Sequence, residues 1–328
     1  MKNKFLFTCG DINGIGPEIS IKLFEHLLRK GTSDHFIFIC PSNVFGYYHN
    51  LLKSKLNYKI ISHPEDSNSH QLNLLSLPKV KMRIGSPTKI SGIVAYESLL
   101  LAIKFLKANK ADAVITSPIS KYAFELSGIK YPGQTEILAE ECNTKNFLMM
   151  FLSKKLIAAL ATIHIPLKEV SKTISSNFIK NKVKVLIDSL RYDFGIASPS
   201  VAVLGLNPHS GEQGRIGKEE IDNIIPAIKK FKRNVEGPFV PDAFFAKHLY
   251  KNFDAVFGMY HDQVLIPFKM MNFNKGVNFT AGLPIIRTSP DHGTAFDIAG
   301  KGIADYSSML SAFQYAKIIS TNRKKIER

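Results

Sequence analysis

Three histidines share a setting that suits metal chemistry. His164, His209 and His261 each stand in a loop directly after, or a few residues beyond, a predicted buried strand. Neutral imidazole is a good ligand for zinc, cobalt and related divalent ions, and three protein ligands leave coordination positions open for a substrate. A single histidine in such a loop is more often structural or simply exposed, but three in matching positions favour a metal site.

A second group of residues, further along the chain, suits an anionic ligand. Lys269 and Arg287 can neutralise a phosphate or carboxylate, Arg287 through two parallel hydrogen bonds, and Asn278 can add neutral hydrogen bonds. In the segment 289–300, small residues let the backbone approach a ligand and Asp297 can accept hydrogen bonds from a ribose. The glycine-rich segment 10–18 fits a structural turn and a cofactor loop equally well.

The elements that must position these residues alternate between strand and helix. Apolar runs predict buried strands at residues 4–8, 36–40, 111–116, 156–163, 201–206 and 254–260. Helical spacing predicts helices at residues 17–28 and 95–108. This alternation indicates the α/β class, with a mainly parallel sheet flanked by helices, in which ligands gather beyond the carboxyl ends of the strands.

Composition narrows the class of protein further. The length of 328 residues favours two domains or one large α/β unit. The net charge of +16 would attract an anionic substrate, but the basic residues are dispersed over helix-like segments, which argues against nucleic-acid binding. Because we find neither a signal peptide nor the roughly 20 uninterrupted apolar residues of a membrane span, we expect a soluble, cytoplasmic protein.

Taken together, the motifs resemble those of the 4-hydroxythreonine-4-phosphate dehydrogenases, enzymes of pyridoxal phosphate synthesis. The most specific segments are Gly-Met-Tyr-His-Asp-Gln at 258–263, Asn-Pro-His-Ser-Gly-Glu at 207–212, and residues 291–300. The resemblance implies a two-domain fold like that of isocitrate and isopropylmalate dehydrogenases, which binds NAD without a Rossmann fingerprint. It implies an NAD-binding domain at 1–120 plus 280–328, and a metal, substrate and dimerisation domain at 121–279.

The resemblance also implies roles for individual residues. A divalent metal, zinc, cobalt or magnesium, would be held by His164, His209 and His261, with His261 reaching a site completed across a homodimer interface. The substrate-binding positions would be Gln134, Thr135, Lys269, Asn278 and Arg287. The adenosine half of NAD or NADP would lie along Gly293, Thr294, Ala295 and Asp297. One departure bears on the substrate: the family pattern Gly-His-Thr-Glu is Gly-Gln-Thr-Glu at 133–136 here, and Gln134 cannot carry a positive charge.

The implied reaction is the oxidation of 4-phosphohydroxy-L-threonine to a β-keto acid, which decarboxylates to 3-amino-2-oxopropyl phosphate. The proton acceptor is left open between Asp242, Asp262 and a water on the metal. Because of Gln134, a related activity remains an alternative: the oxidation of a phosphorylated sugar acid such as erythronate or threonate 4-phosphate. A phosphate acyltransferase on a related fold and a nucleic-acid-binding module are the more distant alternatives.

Overall fold

The structure is a computed structural model that describes residues 2–231, 234–272 and 275–326. The chain divides into two compact units: unit 1 comprises Met1–Asn143 and Leu283–Ser320, and unit 2 comprises Thr144–Gly282 and Thr321–Arg328. The predicted domains were 1–120 plus 280–328 and 121–279. In the structure, residues 121–143 belong to unit 1, whereas residues 280–282 and 321–328 belong to unit 2. In unit 1, Phe124 packs edge-to-face on Tyr96, and Gln134 donates a hydrogen bond to the Ser117 carbonyl. The functions assigned to the two domains stay predictions.

The strands and helices alternate along most of the chain, as the sequence predicts. The strands are β1 (Lys4–Thr8), β2 (His35–Pro41), β3 (Tyr58–Ile61), β4 (Leu72–Leu77), β5 (Ala113–Thr116), β6 (Leu148–Leu152), β7 (Ile157–Leu160), β8 (Val201–Leu204), β9 (Val235–Phe239), β10 (Ala255–Gly258), β11 (Val277–Ala281) and β12 (Arg287–Pro290). The helices are α1 (Gly16–Arg29), α2 (Ser42–Leu51), α3 (Lys89–Lys107), α4 (Lys121–Leu126), α5 (Gln134–Glu141), α6 (Leu167–Thr173), α7 (Ser176–Tyr192), α8 (Ile225–Ile228), α9 (Pro241–Ala246), α10 (His261–Asn272) and α11 (Ser307–Ile326). Within the described residues, no helix is both long and apolar enough to cross a membrane.

Unit 1 is built on a parallel sheet with strand order β3-β4-β2-β1-β5-β12. Its central strands are apolar on both faces because helices cover both sides, which is the pattern of a buried parallel sheet. Aromatic rings fill one side of this core: Phe7 packs edge-to-face on Phe24 with ring centres 4.8 Å apart, and Phe5 does so on Phe313 at 5.1 Å. The N-terminal strand and α11 are thereby joined in one core.

Unit 2 has strand order β11-β6-β7-β10-β8-β9. The pairs from β7 to β9 are parallel, whereas β6 is antiparallel to both β11 and β7. The strands β6 and β7 form a hairpin whose turn is closed by the Ser153 amide, which donates to the Leu156 carbonyl at 3.0 Å. The sequence predicts only the second of these strands, because the apolar stretch 147–165 continues on both sides of the polar turn.

Candidate active site

The loops that carry the three histidines leave the same edge of the sheet in unit 2. His164 lies beyond the end of β7, His209 beyond β8 and His261 beyond β10. These strands are neighbours in the order β7-β10-β8 and run parallel, so their carboxyl ends meet at one edge. This is the edge where α/β sheets bind ligands.

His164 and His261 lie side by side at this edge. Their ring centres are 6.1 Å apart, with the ring planes at 40°. Nδ1 of His261 is 2.7 Å from Oδ1 of Asp262, which leaves Nε2 as the nitrogen directed to a ligand. The two rings border a cavity of about 350 Å³, lined by Thr162, Ile163, His164, Ile165, Leu167, Val170, Tyr260, His261 and Asp262.

His209 lies on a turn with unusual backbone geometry. Every residue from His209 to Gly214 has a positive φ, with 52° at His209 and 58° at Gln213. An L-residue in this left-handed region costs roughly 1–2 kcal/mol, so a run of them persists only where surrounding contacts hold it. The His209 imidazole is exposed to solvent.

Two polar side chains tie the three loops together. Gln263 accepts a hydrogen bond from the Met259 amide at 2.7 Å and donates one to the Gly205 carbonyl at 2.6 Å. The Thr162 hydroxyl donates to the Met259 carbonyl at 2.7 Å. The segments that lead to His164 and His209 are therefore both fixed to the segment before His261.

The distance between two of the histidine rings can be compared with the distance that a shared divalent ion allows. With a metal–nitrogen bond of about 2.1 Å, two imidazoles on one ion have ring centres at most roughly 6.5 Å apart. His164 and His261 lie inside that limit. In residues 2–231, 234–272 and 275–326, however, no group of three or more His, Cys, Asp or Glu side chains is arranged to hold an ion. The predicted set of three histidines is therefore not assembled by the described part of one chain.

Arg287, one of the residues predicted to bind an anion, is buried and bonded to two polar side chains. Arg287 opens β12 in unit 1, with 4% of its surface exposed. Its Nε donates to Thr116 Oγ1 at 2.9 Å, and its Nη2 donates to Gln134 Oε1 at 3.1 Å. Burial lowers the pKa of Arg287 to about 10, and the nearby Glu136 carboxylate opposes that shift. The guanidinium is therefore still charged at neutral pH and suits an anionic ligand.

Gln134, the residue that departs from the family pattern, is part of this cluster. It begins α5, and its Nε2 donates to the Ser117 carbonyl at 2.9 Å while its Oε1 accepts from Arg287. Both ends of its amide group thus contact the protein. Thr135 is buried beside it in the first turn of the helix.

The remaining two residues predicted to bind the substrate lie in unit 2. Lys269 is exposed on α10, and Asn278 is half-buried on β11. The structure thus brings Gln134, Thr135 and Arg287 together in unit 1 and places Lys269 and Asn278 in the other unit.

The predicted cofactor loop, residues 293–297, follows β12 in unit 1. The Thr294 carbonyl accepts a hydrogen bond from the Ile15 amide at 3.0 Å, and a Cβ on Gly14 would lie 2.8 Å from the same oxygen. Ala295 has a φ of 42°, whereas Gly293 and Asp297 are exposed. The glycine-rich segment therefore forms a turn that packs on residues 293–297, since only a glycine at position 14 leaves room for the Thr294 carbonyl.

Asn13 connects the glycine-rich segment to a second loop of unit 1. Its side chain accepts from the Arg83 amide at 2.8 Å and donates to the Ser86 carbonyl at 2.9 Å and to Thr88 Oγ1 at 3.2 Å. It fixes the segment 83–88, which itself borders the cofactor loop, because a Cβ on Gly85 would lie 3.2 Å from the Phe296 carbonyl. Its only signal in the sequence was its place in the glycine-rich segment 10–18. Gln263 ends the motif at 258–263, but the sequence did not indicate its contact with Gly205, and it did not indicate the contact of Thr116 with Arg287.

Comparison with known proteins accounts for this arrangement of motifs. The family model described as pyridoxal phosphate biosynthetic protein PdxA matches residues 33–316. The chain belongs to this family. It is 40% identical to the 4-hydroxythreonine-4-phosphate dehydrogenase of Sulfurihydrogenibium sp. strain YO3AOP1, over 98% of this chain and 99% of that one. It is 41% identical to the protein of the same name from Aquifex aeolicus, over 96% and 97% of the two chains.

A solved structure agrees with the fold as well. The crystal structure of 4-hydroxythreonine-4-phosphate dehydrogenase from Klebsiella pneumoniae matches with a TM-score of 0.86 and 34% identity, over 97% of this chain and 100% of that one. Membership of the PdxA family confirms the resemblance inferred from segments 207–212, 258–263 and 291–300. The α/β class predicted from the alternating elements is confirmed too.

Proposed function

We propose that this chain oxidises the 3-hydroxyl group of 4-phosphohydroxy-L-threonine, with NAD or NADP as the hydride acceptor. The hydroxyl proton is released and the hydride passes to the nicotinamide, which leaves a β-keto acid. Loss of its carboxylate as carbon dioxide gives 3-amino-2-oxopropyl phosphate. The full-length similarity to proteins named 4-hydroxythreonine-4-phosphate dehydrogenase supports this reaction. Since both ligands are too highly charged to cross a membrane unaided, the proposal includes a cytoplasmic location.

The observation that carries the proposal is the buried guanidinium of Arg287. Its hydrogen bonds to Thr116 and Gln134 fix the plane of the group before a ligand arrives. A fixed guanidinium binds phosphate or carboxylate with defined geometry, so it can set the distance between the reacting hydroxyl and the nicotinamide. Thr135, Lys269 and Asn278 complete the proposed substrate contacts. The cofactor's adenosine half would lie along Gly293, Thr294, Ala295 and Asp297.

A divalent ion, zinc, cobalt or magnesium, belongs to the proposal, with His164, His209 and His261 as its ligands. When bound, such an ion supplies Lewis-acid polarisation of the substrate hydroxyl. The loops of the three histidines leave the same edge of the sheet in unit 2, which supports this assignment. Asp262 contacts His261 Nδ1, so we assign it to orienting that ring rather than to accepting the substrate proton.

A homodimer would supply the missing ligand, because the described part of one chain does not assemble three. The resemblance assigns the crossing role to His261. Mixing purified variants tests this directly. If His261 alone crosses, a refolded mixture of His209→Ala and His261→Ala recovers about a quarter of wild-type activity, since half the dimers then contain one intact site. A mixture of His164→Ala and His209→Ala recovers none. Recovery in neither mixture would contradict a shared site.

The proposed reaction is tested by a coupled assay. Purified protein is incubated with 4-phosphohydroxy-L-threonine and NAD, and the absorbance of NADH is followed with and without a chelator. We expect NADH to form only when a divalent ion is present. A parallel assay replaces NAD with NADP. No NADH with either cofactor, in a preparation reloaded with zinc, cobalt or magnesium, would refute the proposed function.

Gln134 supports one alternative substrate class. A phosphorylated sugar acid such as erythronate or threonate 4-phosphate lacks the amino group but keeps the phosphate and the oxidisable hydroxyl. A neutral amide in place of the family's histidine changes the hydrogen bonds near Arg287. The same assay with erythronate 4-phosphate decides between the two, because the better substrate has the higher kcat/KM.

A further inference from the structure

We propose that Glu220 is a positioning residue, whose carboxylate holds the turn that presents His209. The proposal rests on the proposed function in one respect, namely that His209 binds the metal. Glu220 has 1% of its surface exposed. It begins a short π-helix, Glu220–Ile224, shortly after the turn ends at Gly214. Neither the motifs nor the resemblance assigns it a role.

The carboxylate contacts the start of the turn through three hydrogen bonds. Oε1 accepts from the Leu206 amide at 2.7 Å and from the Asn207 amide at 2.8 Å. Oε2 accepts from Nδ2 of Asn207 at 2.9 Å. A buried carboxylate that accepts several amide hydrogen bonds is strongly held, so it can anchor the backbone two residues before His209.

The carboxylate also borders the middle of the turn. A Cβ on Gly211 would lie 2.6 Å from Oε2 of Glu220, so the turn can lie against the carboxylate only because residue 211 is glycine. Around this point four residues other than glycine adopt left-handed backbone: His209, Ser210, Glu212 and Gln213. The backbone preferences of these residues do not favour such a run, so other contacts must hold it. Glu220 binds the start of the turn and lies beside its middle residue, Gly211.

The chain offers a matched control in the neighbouring residue. Glu219 accepts one hydrogen bond from Nδ2 of Asn207 at 2.8 Å and is only half-buried. Glu219→Gln and Glu220→Gln make the same chemical change one residue apart. In Glu220→Gln, an amide NH2 group would replace one of the acceptor oxygens, where only donors from Leu206 and Asn207 face it.

The test measures the metal-free protein first. In Glu220→Gln we expect amide hydrogen exchange of residues 206–216 to be at least tenfold faster than in the wild type, with the exchange of unit 1 unchanged. Glu219→Gln should stay within about twofold of the wild type. If Glu220→Gln does not fold, Glu220→Asp keeps the buried charge but shortens the side chain, and the same faster exchange is expected. Wild-type exchange of these amides in a folded variant would overturn the proposal.

A second measurement separates this proposal from the proposed function. Titration with Co²⁺ should show an affinity about 10- to 100-fold weaker in Glu220→Gln, which is the usual effect of losing a residue that orients a metal ligand. If exchange accelerates but neither Glu220→Gln nor His209→Ala changes the affinity for Co²⁺, the positioning role of Glu220 is supported and the metal assignment of His209 is refuted. Weaker Co²⁺ binding with unchanged exchange would overturn the positioning role.

Discussion

The arginine cluster of unit 1, Arg287 with Thr116 and Gln134, and the histidine edge of unit 2, His164, His209 and His261, differ in how far the folded chain arranges them for a charged ligand. Arg287 is almost fully buried, and Thr116 and Gln134 fix its guanidinium in the ligand-free chain. His164 and His209 lie on accessible loops and His261 begins α10, and the described part of one chain does not assemble them into a complete ligand set. Folding of the chain alone arranges the arginine cluster, whereas the histidine edge needs a metal ion or a second chain to complete it.

The difference follows from the chemistry of the two ligand types. A guanidinium remains charged when buried, provided that its donors are satisfied, so the fold can arrange it in advance. Metal ligands must be reachable from solvent, and the binding energy of the ion itself helps to order them. We therefore expect the histidine edge to depend on metal and the arginine cluster to be indifferent to it.

The largest effect is expected from His209→Ala. If the three histidines bind the metal as proposed, removing one of them should eliminate most of the bound metal and reduce kcat/KM by at least about 10³-fold, while the fold and cofactor binding are kept. Metal content measured by mass spectrometry, together with circular dichroism and steady-state kinetics, checks this. Full activity in a metal-free His209→Ala preparation would remove the contrast between the two regions.

A nearly equal loss is expected from Arg287→Lys, but without loss of metal. Lysine cannot donate to Thr116 and Gln134 while also contacting an anion in bidentate fashion, so kcat/KM should fall about 10²- to 10³-fold. Arg29→Lys is the matched control, because Arg29 is largely exposed on α1. Equal kinetics for the two variants would show that the buried cluster does not bind the substrate.

The buried carboxyl group of Asp11, in the glycine-rich segment of unit 1, should make the free energy of unfolding depend on pH. Burial raises the pKa of Asp11 to about 6 from the ordinary 3.8, so the folded protein favours the neutral acid. The stability that Asp11 contributes is complete below pH 3.8 and is lost as the pH rises through about 6. Asp11→Asn should remove a pH-dependent difference of about 3 kcal/mol in the free energy of unfolding. Urea unfolding of both proteins from pH 4 to 7 measures it, and parallel curves would contradict the prediction.

The smallest effect is expected at Gln134. Gln134→Leu should lower kcat/KM about tenfold, because Arg287 loses one of the acceptors that orient it. Gln134→His restores the family residue and should stay within about threefold of the wild type with 4-phosphohydroxy-L-threonine, since a neutral imidazole can accept from Arg287. A tenfold gain in Gln134→His with this substrate, and a loss with erythronate 4-phosphate, would instead identify Gln134 as a specificity residue.

Local patterns were enough to predict much of the framework. Residues 4–8 were predicted as a strand and form β1, and residues 17–28 lie within α1. The strand β6 was missed, because an antiparallel hairpin inside a long apolar stretch resembles one continuous buried run. The strands β3, β4, β9, β11 and β12 were not predicted either. In the candidate site, the histidines could be selected because each follows an apolar strand. Thr116 could not be selected, because its partner Arg287 lies 171 positions away in the sequence.

The sequence by itself determined the α/β class, the family and the residue types available for chemistry, since apolar periodicity and short motifs are local properties. Only the tertiary structure decided which neutral oxygen atoms hold Arg287, and that the glycine-rich segment packs against the loop at Thr294. It also decided that Glu220 lies against the left-handed turn of His209. The contacts of Arg287 and Thr294 join residues far apart in the chain, and those of Glu220 hold a turn with left-handed backbone, so their energies depend on burial and distance, which no local pattern encodes.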